Sequence, residues 1–199
     1  MLPGGLALPG GVDRWLPVVA VSVAVLPAAW FVGRLLMRRA VARGRPRDVA
    51  RRHAVAEVGM VAGTLPWLWM ILTPLPATGA VRLVPIVDLA QVLAGHPLTA
   101  FFQIGGNLLV FAAFGLFAPL RWRIGPVAVM AAAAAASTTV ETLQYVLALG
   151  RVSSIDDVLL NTAGAGLAAL LCRWLPWRRP GRDGQRPAPE AAPVSLPGP

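Results

Sequence analysis

Phe101-Phe-Gln-Ile-Gly-Gly-Asn-Leu-Leu-Val-Phe-Ala-Ala-Phe-Gly-Leu-Phe-Ala-Pro-Leu120 contains no charged residue. At about 1.5 Å rise per residue, a helix of about 20 residues crosses a hydrocarbon core of about 30 Å. The stretch is too long for a strand and too apolar for the half-wet helix of a soluble domain, so it predicts a membrane span. Four more spans follow from it: Trp15 to about Leu36, Ala54 to about Thr73, Ile124 to Leu149, and Val158 to about Trp177. The second is interrupted by Thr64 and Pro66 and runs into Thr73-Pro74. Membrane helices tolerate proline where neighbours satisfy the freed carbonyl. The predicted fold class is all-α, a polytopic membrane helical bundle of about five transmembrane helices over residues 15–177. Residues 1–14 are expected as a short outer tail, and the Pro/Arg-rich residues 178–199 as a disordered cytoplasmic tail.

Composition supports this. The chain has 199 residues, of which 56% are hydrophobic and 14% charged, against roughly 25% charged in a soluble domain. Mean hydropathy is +0.64. These values exclude a soluble enzyme domain, a coiled coil and a globally disordered chain. A single cysteine, Cys172, excludes a disulfide scaffold.

The net charge of +9 is all arginine, and its placement argues for lipid and against nucleic acid. Eight arginines, from Arg34 to Arg52, lie between spans one and two. Arg121 and Arg123 follow span three, and five more lie from Arg173 to Arg186. Only Arg14, Arg82 and Arg151 fall on the other side, which leaves 15 against three. The positive-inside rule then puts the N-terminus outside and the C-terminus in the cytoplasm. Trp residues at 15, 67, 69, 122, 174 and 177 suit interfacial belts.

In that orientation the polar residues of the last three spans share one depth. Asn107 lies about two turns below the outer surface. Glu141 and Gln144 lie one to two turns before the outer end of span four, and Asn161 about one turn into span five. Arg151, Asp156 and Asp157 occupy the short loop between them. Glu141 and Gln144 share a helix face, as do Asp157 and Asn161. Small residues at Ala131–Ala136 and Ala163–Gly166 let helices approach closely. These groups are expected to form one outer-leaflet ligand-binding cluster: Asn107, Glu141, Gln144, Arg151, Asp156, Asp157 and Asn161. Each also has a purely structural reading. Asn and Gln can be interhelical hydrogen-bond glue, Glu141 a partner for Arg151, and either Asp a helix cap. Neither a metal nor a cofactor is expected, since the chain has no His/Cys cluster and no phosphate-binding Gly loop. No nucleophile is evident either.

The segment from about Arg82 to Leu170 resembles the VanZ family, small multispanning bacterial membrane proteins named after a teicoplanin-resistance protein. Four stretches carry the resemblance: Asn107 through Gly115, Glu141-Thr-Leu-Gln144, Gly150-Arg151, and Ser154-Ile-Asp-Asp157 followed by Asn161-Thr-Ala-Gly164. The family's upstream Asn-Leu-Ile-Pro-Phe is replaced here by Arg82-Leu-Val-Pro-Ile86. The resemblance implies the bacterial cell membrane, a cell-envelope role and a contribution to teicoplanin resistance. The expected partners are the lipid bilayer and a lipid-linked wall precursor or lipoglycopeptide. The leading expectation is a non-enzymatic binding protein. The alternatives are a membrane-embedded enzyme using Glu141 and an Asp as acid and base, and a small transporter. The absence of matched interrupted spans in the two halves counts against a transporter.

Overall fold

A computed structural model describes residues 15–174. Its elements in chain order are α1 (Trp15–Ala42), α2 (Arg47–Leu72), β1 (Ala80–Arg82), α3 (Val87–Ala94), α4 (Pro97–Val110), α5 (Ala112–Trp122), α6 (Pro126–Val146), β2 (Val152–Ser154) and α7 (Ile155–Cys172). With α4 and α5 taken together as Pro97–Trp122, the described residues contain five helices long and apolar enough to cross a membrane. The protein is a multi-pass membrane protein and its bundle is all-helical. The expectations for residues 1–14 and 178–199, and for the end of span five up to Trp177, lie outside the described residues.

Span bounds shift: α1 runs on to Ala42, the third span covers Pro97–Trp122, and α6 covers Pro126–Val146 where 124–149 was expected. Sequence and structure differ further in four places. First, α2 starts at Arg47 and not at Ala54, because the charged turn before Ala54 simply continues the helix. Pro66 sits inside α2 and is buried. Second, the third span is broken: Phe111, at φ −109° and ψ 10°, separates α4 from α5. Third, α7 starts at Ile155 and not Val158, because Ser154 caps it, its hydroxyl accepting from the Asp156 amide. Fourth, two elements have no counterpart in the expectation. They are the eight-residue α3 and a parallel two-stranded ribbon with Ala80 opposite Val152 and Arg82 opposite Ser154.

Packing is uneven. The best-buried residues of α6 form one narrow stripe, Val129, Ala133, Ser137, Val140 and Gln144, with spacing of three or four. On α7 the buried set is mostly small: Gly164, Ala165, Gly166, Ala168, Ala169 and Cys172. A Cβ on Gly164 would stand 1.9 Å from the Leu108 carbonyl oxygen, and one on Gly115 2.2 Å from that of Ala165. So α7 touches α4 and α5 backbone to backbone, and the Phe111 break lies between those contacts. Helix α7 also packs against α6, where Gly166 meets the Met130 side chain and Ala165 and Ala169 share a core with Val129 and Ala133.

The bundle has two chemically distinct ends. The α1–α2 and α5–α6 turns carry Arg43, Arg45 and Arg123 and form an arginine end. The α2–α4 and α6–α7 connections, which hold β1, α3 and β2, form a polar end.

Candidate functional site

The polar end begins with an unfinished helix. Pro74 has no N–H, so the Met70 carbonyl of α2 is left with the Thr73 amide, at 3.3 Å, in place of its usual donor four residues on. Arg151 adds a second donor, its Nη2 donating to Met70 O at 2.7 Å, while its Nε donates to Thr73 O at 3.2 Å. The Gln144 amide donates to the next carbonyl, Ile71 O, at 2.9 Å. A cation and an amide on the negative end of a helix are favourable in both charge and hydrogen bonding. These two candidates therefore anchor α2 to the α6–α7 connection. Gly150 makes the turn feasible: its φ is +67°, and a Cβ there would lie 2.2 Å from the Leu75 carbonyl oxygen.

Glu141 faces the start of α7. Its carboxylate accepts from the Ser154 amide at 3.1 Å, while the Ser153 hydroxyl donates to its backbone carbonyl at 3.0 Å. Asp157 and Arg151 are the charged groups close enough to act on Glu141. Asp157 itself accepts a hydrogen bond from the Asn107 side-chain amide, which joins α7 to α4. One turn deeper, the Asn161 amide donates to Ser137 Oγ at 2.8 Å, joining α7 to α6. The Asn161 carbonyl oxygen and the Thr162 hydroxyl are buried without a hydrogen-bond partner.

Asp156 points the other way. One carboxylate oxygen accepts from the Ile86 amide at 2.6 Å and the other from the Leu89 amide at 3.0 Å. It caps the N-terminus of α3, not that of α7. Ile86 needs the help, because it adopts a left-handed φ of 71° and has no side-chain acceptor of its own.

Four residues outside the expected set complete this end. Ser154 Oγ donates to Asp88 at 2.6 Å. Arg82 pairs with Asp88 and also donates to Gln91 at 3.1 Å. Partial burial works against the charge of Asp88, but the Ser154 hydroxyl and the Arg82 guanidinium outweigh it and hold the carboxyl below its ordinary range. No local spacing marks Asp88 and Ser154 as partners. They meet only because the 73–96 connection folds back over α7.

The seven candidates thus divide. Asn107, Glu141, Asp157 and, one turn below, Asn161 lie between α4, α6 and α7, with the Arg151 charge in reach of Glu141 and Asp157. Gln144 and Arg151 make their direct bonds to α2, and Asp156 to α3. Two adjacent carboxylates, an amide and a guanidinium can recognise a polar or charged headgroup. They can also hold or pass a proton.

A sequence model of the family described as VanZ/LLP1 matches residues 60–176. The chain belongs to the VanZ/LLP1 family. The match starts inside α2, earlier than the resemblance over 82–170, and so includes Met70, Ile71 and Thr73, the carbonyls held by Arg151 and Gln144. Helix α1 and the first turns of α2 lie outside the VanZ/LLP1 match. No curated protein and no solved structure matches the chain.

Proposed function

We propose that this VanZ-family protein lies in the bacterial cell membrane with its N-terminus outside and its C-terminus cytoplasmic. Its polar end then sits in the outer leaflet and binds the headgroup of a lipid-linked or lipophilic envelope molecule. The orientation follows from the arginine count. The observation that carries the binding reading is the Asn107–Asp157 bond, set beside Glu141 at the top of a bundle whose lower part is closed by Gly115 and Gly164. Polar groups inside a membrane are costly and mark sites when they converge. A polar top over a dry seam recognises a headgroup without opening a leak. Family membership makes a lipoglycopeptide such as teicoplanin one ligand to test, and a role in resistance to it one phenotype.

The test is binding in nanodiscs to lipid II, undecaprenyl phosphate and teicoplanin. At least one should bind, and Asp157→Asn and Glu141→Gln should each weaken it about tenfold while the melting temperature stays near that of the parent. Binding unchanged in both variants would end the proposal. Reporters fused after Pro199 and near Gly79 check the orientation. Cytoplasmic signal at the first and external signal at the second are expected.

The proximity of Glu141 and Asp157 also favours a second reading, an enzyme acting on an envelope lipid or wall precursor with these groups as acid and base. Turnover of labelled precursors by reconstituted protein, lost in Glu141→Gln, would decide for it.

A further inference from the structure

A groove of about 530 Å³ runs between α1 and α2, from Glu57 toward the polar end at Trp69, in the size range of small-molecule sites. It is walled by Val25, Ala29 and Val32 of α1 and Ala62 and Leu65 of α2, and small alanines on both sides leave the space open. Its lining includes Trp69 near one end of α2 and a single charged residue, Glu57, toward the arginine end. Those two residues are twelve apart on α2, about 18 Å along the helix and comparable to an extended acyl chain.

Glu57 connects the groove to a basic cluster. Arg121 Nε, from the end of α5, donates to the Glu57 carboxylate at 2.6 Å. His53, one turn before Glu57, lies within electrostatic reach of Arg45, Arg52 and Arg121 as well as Glu57. Around His53 three arginines thus outnumber one carboxylate, which Arg121 alone contacts, and the local balance is positive. Arg52 Nε is buried and has no hydrogen-bond partner. A guanidinium N–H withheld from both water and protein is costly, and the acceptor that suits it best is anionic. The opening of the groove lies among side chains facing the membrane: Leu65 and Trp69 of α2 are more than half exposed, at 55% and 53%.

We propose that this groove is a binding site for one anionic phospholipid of the leaflet at the arginine end. The phosphate sits at Arg52 and Arg121, and an acyl chain lies along the α1–α2 seam toward Trp69. Charge complementarity fixes the headgroup at the Glu57 end, and the apolar lining orients the tail. The site fastens α1, which lies outside the family match, to the VanZ bundle through a lipid. General attraction of lipid to a basic loop would not need the groove.

The test uses the full chain in nanodiscs containing equal phosphatidylglycerol and phosphatidylcholine of the same acyl chains. The protein is then extracted in mild detergent and its retained lipid counted by mass spectrometry. Phosphatidylglycerol should be retained about tenfold over phosphatidylcholine, and R52Q or the groove-filling A62F should each remove that preference. The R38Q/R39Q double variant removes two charges from the same end and should change retention less than about twofold. If A62F fails to fold, A29F blocks the groove from the α1 side and is read in its place. Equal retention of the two lipids overturns the proposal. So does an R38Q/R39Q loss as large as that of R52Q, or full retention by the groove-filling variants. None of these outcomes touches the polar-end reading, which Asp157→Asn tests separately.

Discussion

The first and last helices solve the same problem in opposite ways. Within its most apolar 18 residues, α7 is 44% buried and α1 only 6%. Helix α7 is built from Gly and Ala, gives up side-chain volume and touches the α4 and α5 backbones directly. Helix α1 keeps large side chains and turns them outward, with Leu26, Trp30 and Phe31 all at least 60% exposed. Its covered positions, Val18, Val21, Ser22, Val25, Ala29, Gly33, Leu36, Met37, Ala40 and Val41, recur at three-four spacing on one face and form a seam on α2. In lipid the hydrophobic effect does not favour helix association, so stability comes from close packing and polar contacts. Helix α7 has both, against α4, α5 and α6, whereas α1 packs chiefly along α2. The part within the family match is therefore the closely packed unit, and α1 is a peripheral addition to it.

The sharpest way to break this comparison is to add side-chain atoms to one glycine in each helix. Gly164→Val drives a branched side chain into the Leu108 carbonyl, with backbone on both sides and nothing that can rotate away. We expect a loss of about 3 kcal/mol or more, enough to abolish a folded, monodisperse protein in detergent. Gly33→Ala places its Cβ 3.7 Å from Val58 Cγ2, an ordinary contact. It should be neutral or stabilising by up to about 1 kcal/mol, since alanine is the better helix former. Equal losses in the two variants, measured as melting temperatures, would erase the distinction between core and addition.

A smaller effect should come from Asp156, the residue through which α7 also holds the loops. Its two oxygens accept from Ile86 and Leu89. Asp156→Asn keeps one acceptor but turns an N–H₂ group toward an N–H donor. We expect a loss of about 1–3 kcal/mol, concentrated as faster amide exchange at residues 86–89, with α1 unaffected. Exchange that rises uniformly through the bundle would show that Asp156 supports the whole fold and not the α3 loop.

The difference between α1 and α7 also explains what could be read from the sequence. Five spans were legible because about 20 apolar residues leave few alternatives in any context. The shared depth of Asn107, Glu141, Asp157 and Asn161 was legible because helical rise converts residue number into height. Contacts that depend on how loops return were not. Gln144 and Arg151 turn to the last carbonyls of α2, beside Pro74, which lie 73 and 81 residues away in the chain. The local half, a proline four residues after an apolar helix position, was visible. Which side chains would reach those carbonyls was not. The three-residue strands and α3 are too short to carry a period, and the break at Phe111 has no proline or glycine at the site to announce it.

The smallest expected effect concerns pH and the latch over the start of α7. Asp88 receives the Ser154 hydroxyl and the Arg82 guanidinium, and together they favour its charged form over the neutral one. Its carboxyl is therefore depressed in the folded protein relative to the unfolded chain. A depressed carboxylate contributes stability that is fully present above its unfolded pKa of about 4 and is lost as pH falls through the lower folded value. The latch should hold unchanged from neutral pH to about pH 4 and loosen only below it. Amide exchange at Asp88 and Gln91, normalised for the intrinsic pH dependence of exchange, reports the opening. In Asp88→Asn the contribution is absent at every pH, so the step below pH 4 should disappear while exchange in α1 stays the same in both proteins. If the step persists in Asp88→Asn, another carboxylate holds the α3 loop, and Asp156, which accepts two of its amides, is the one to substitute next.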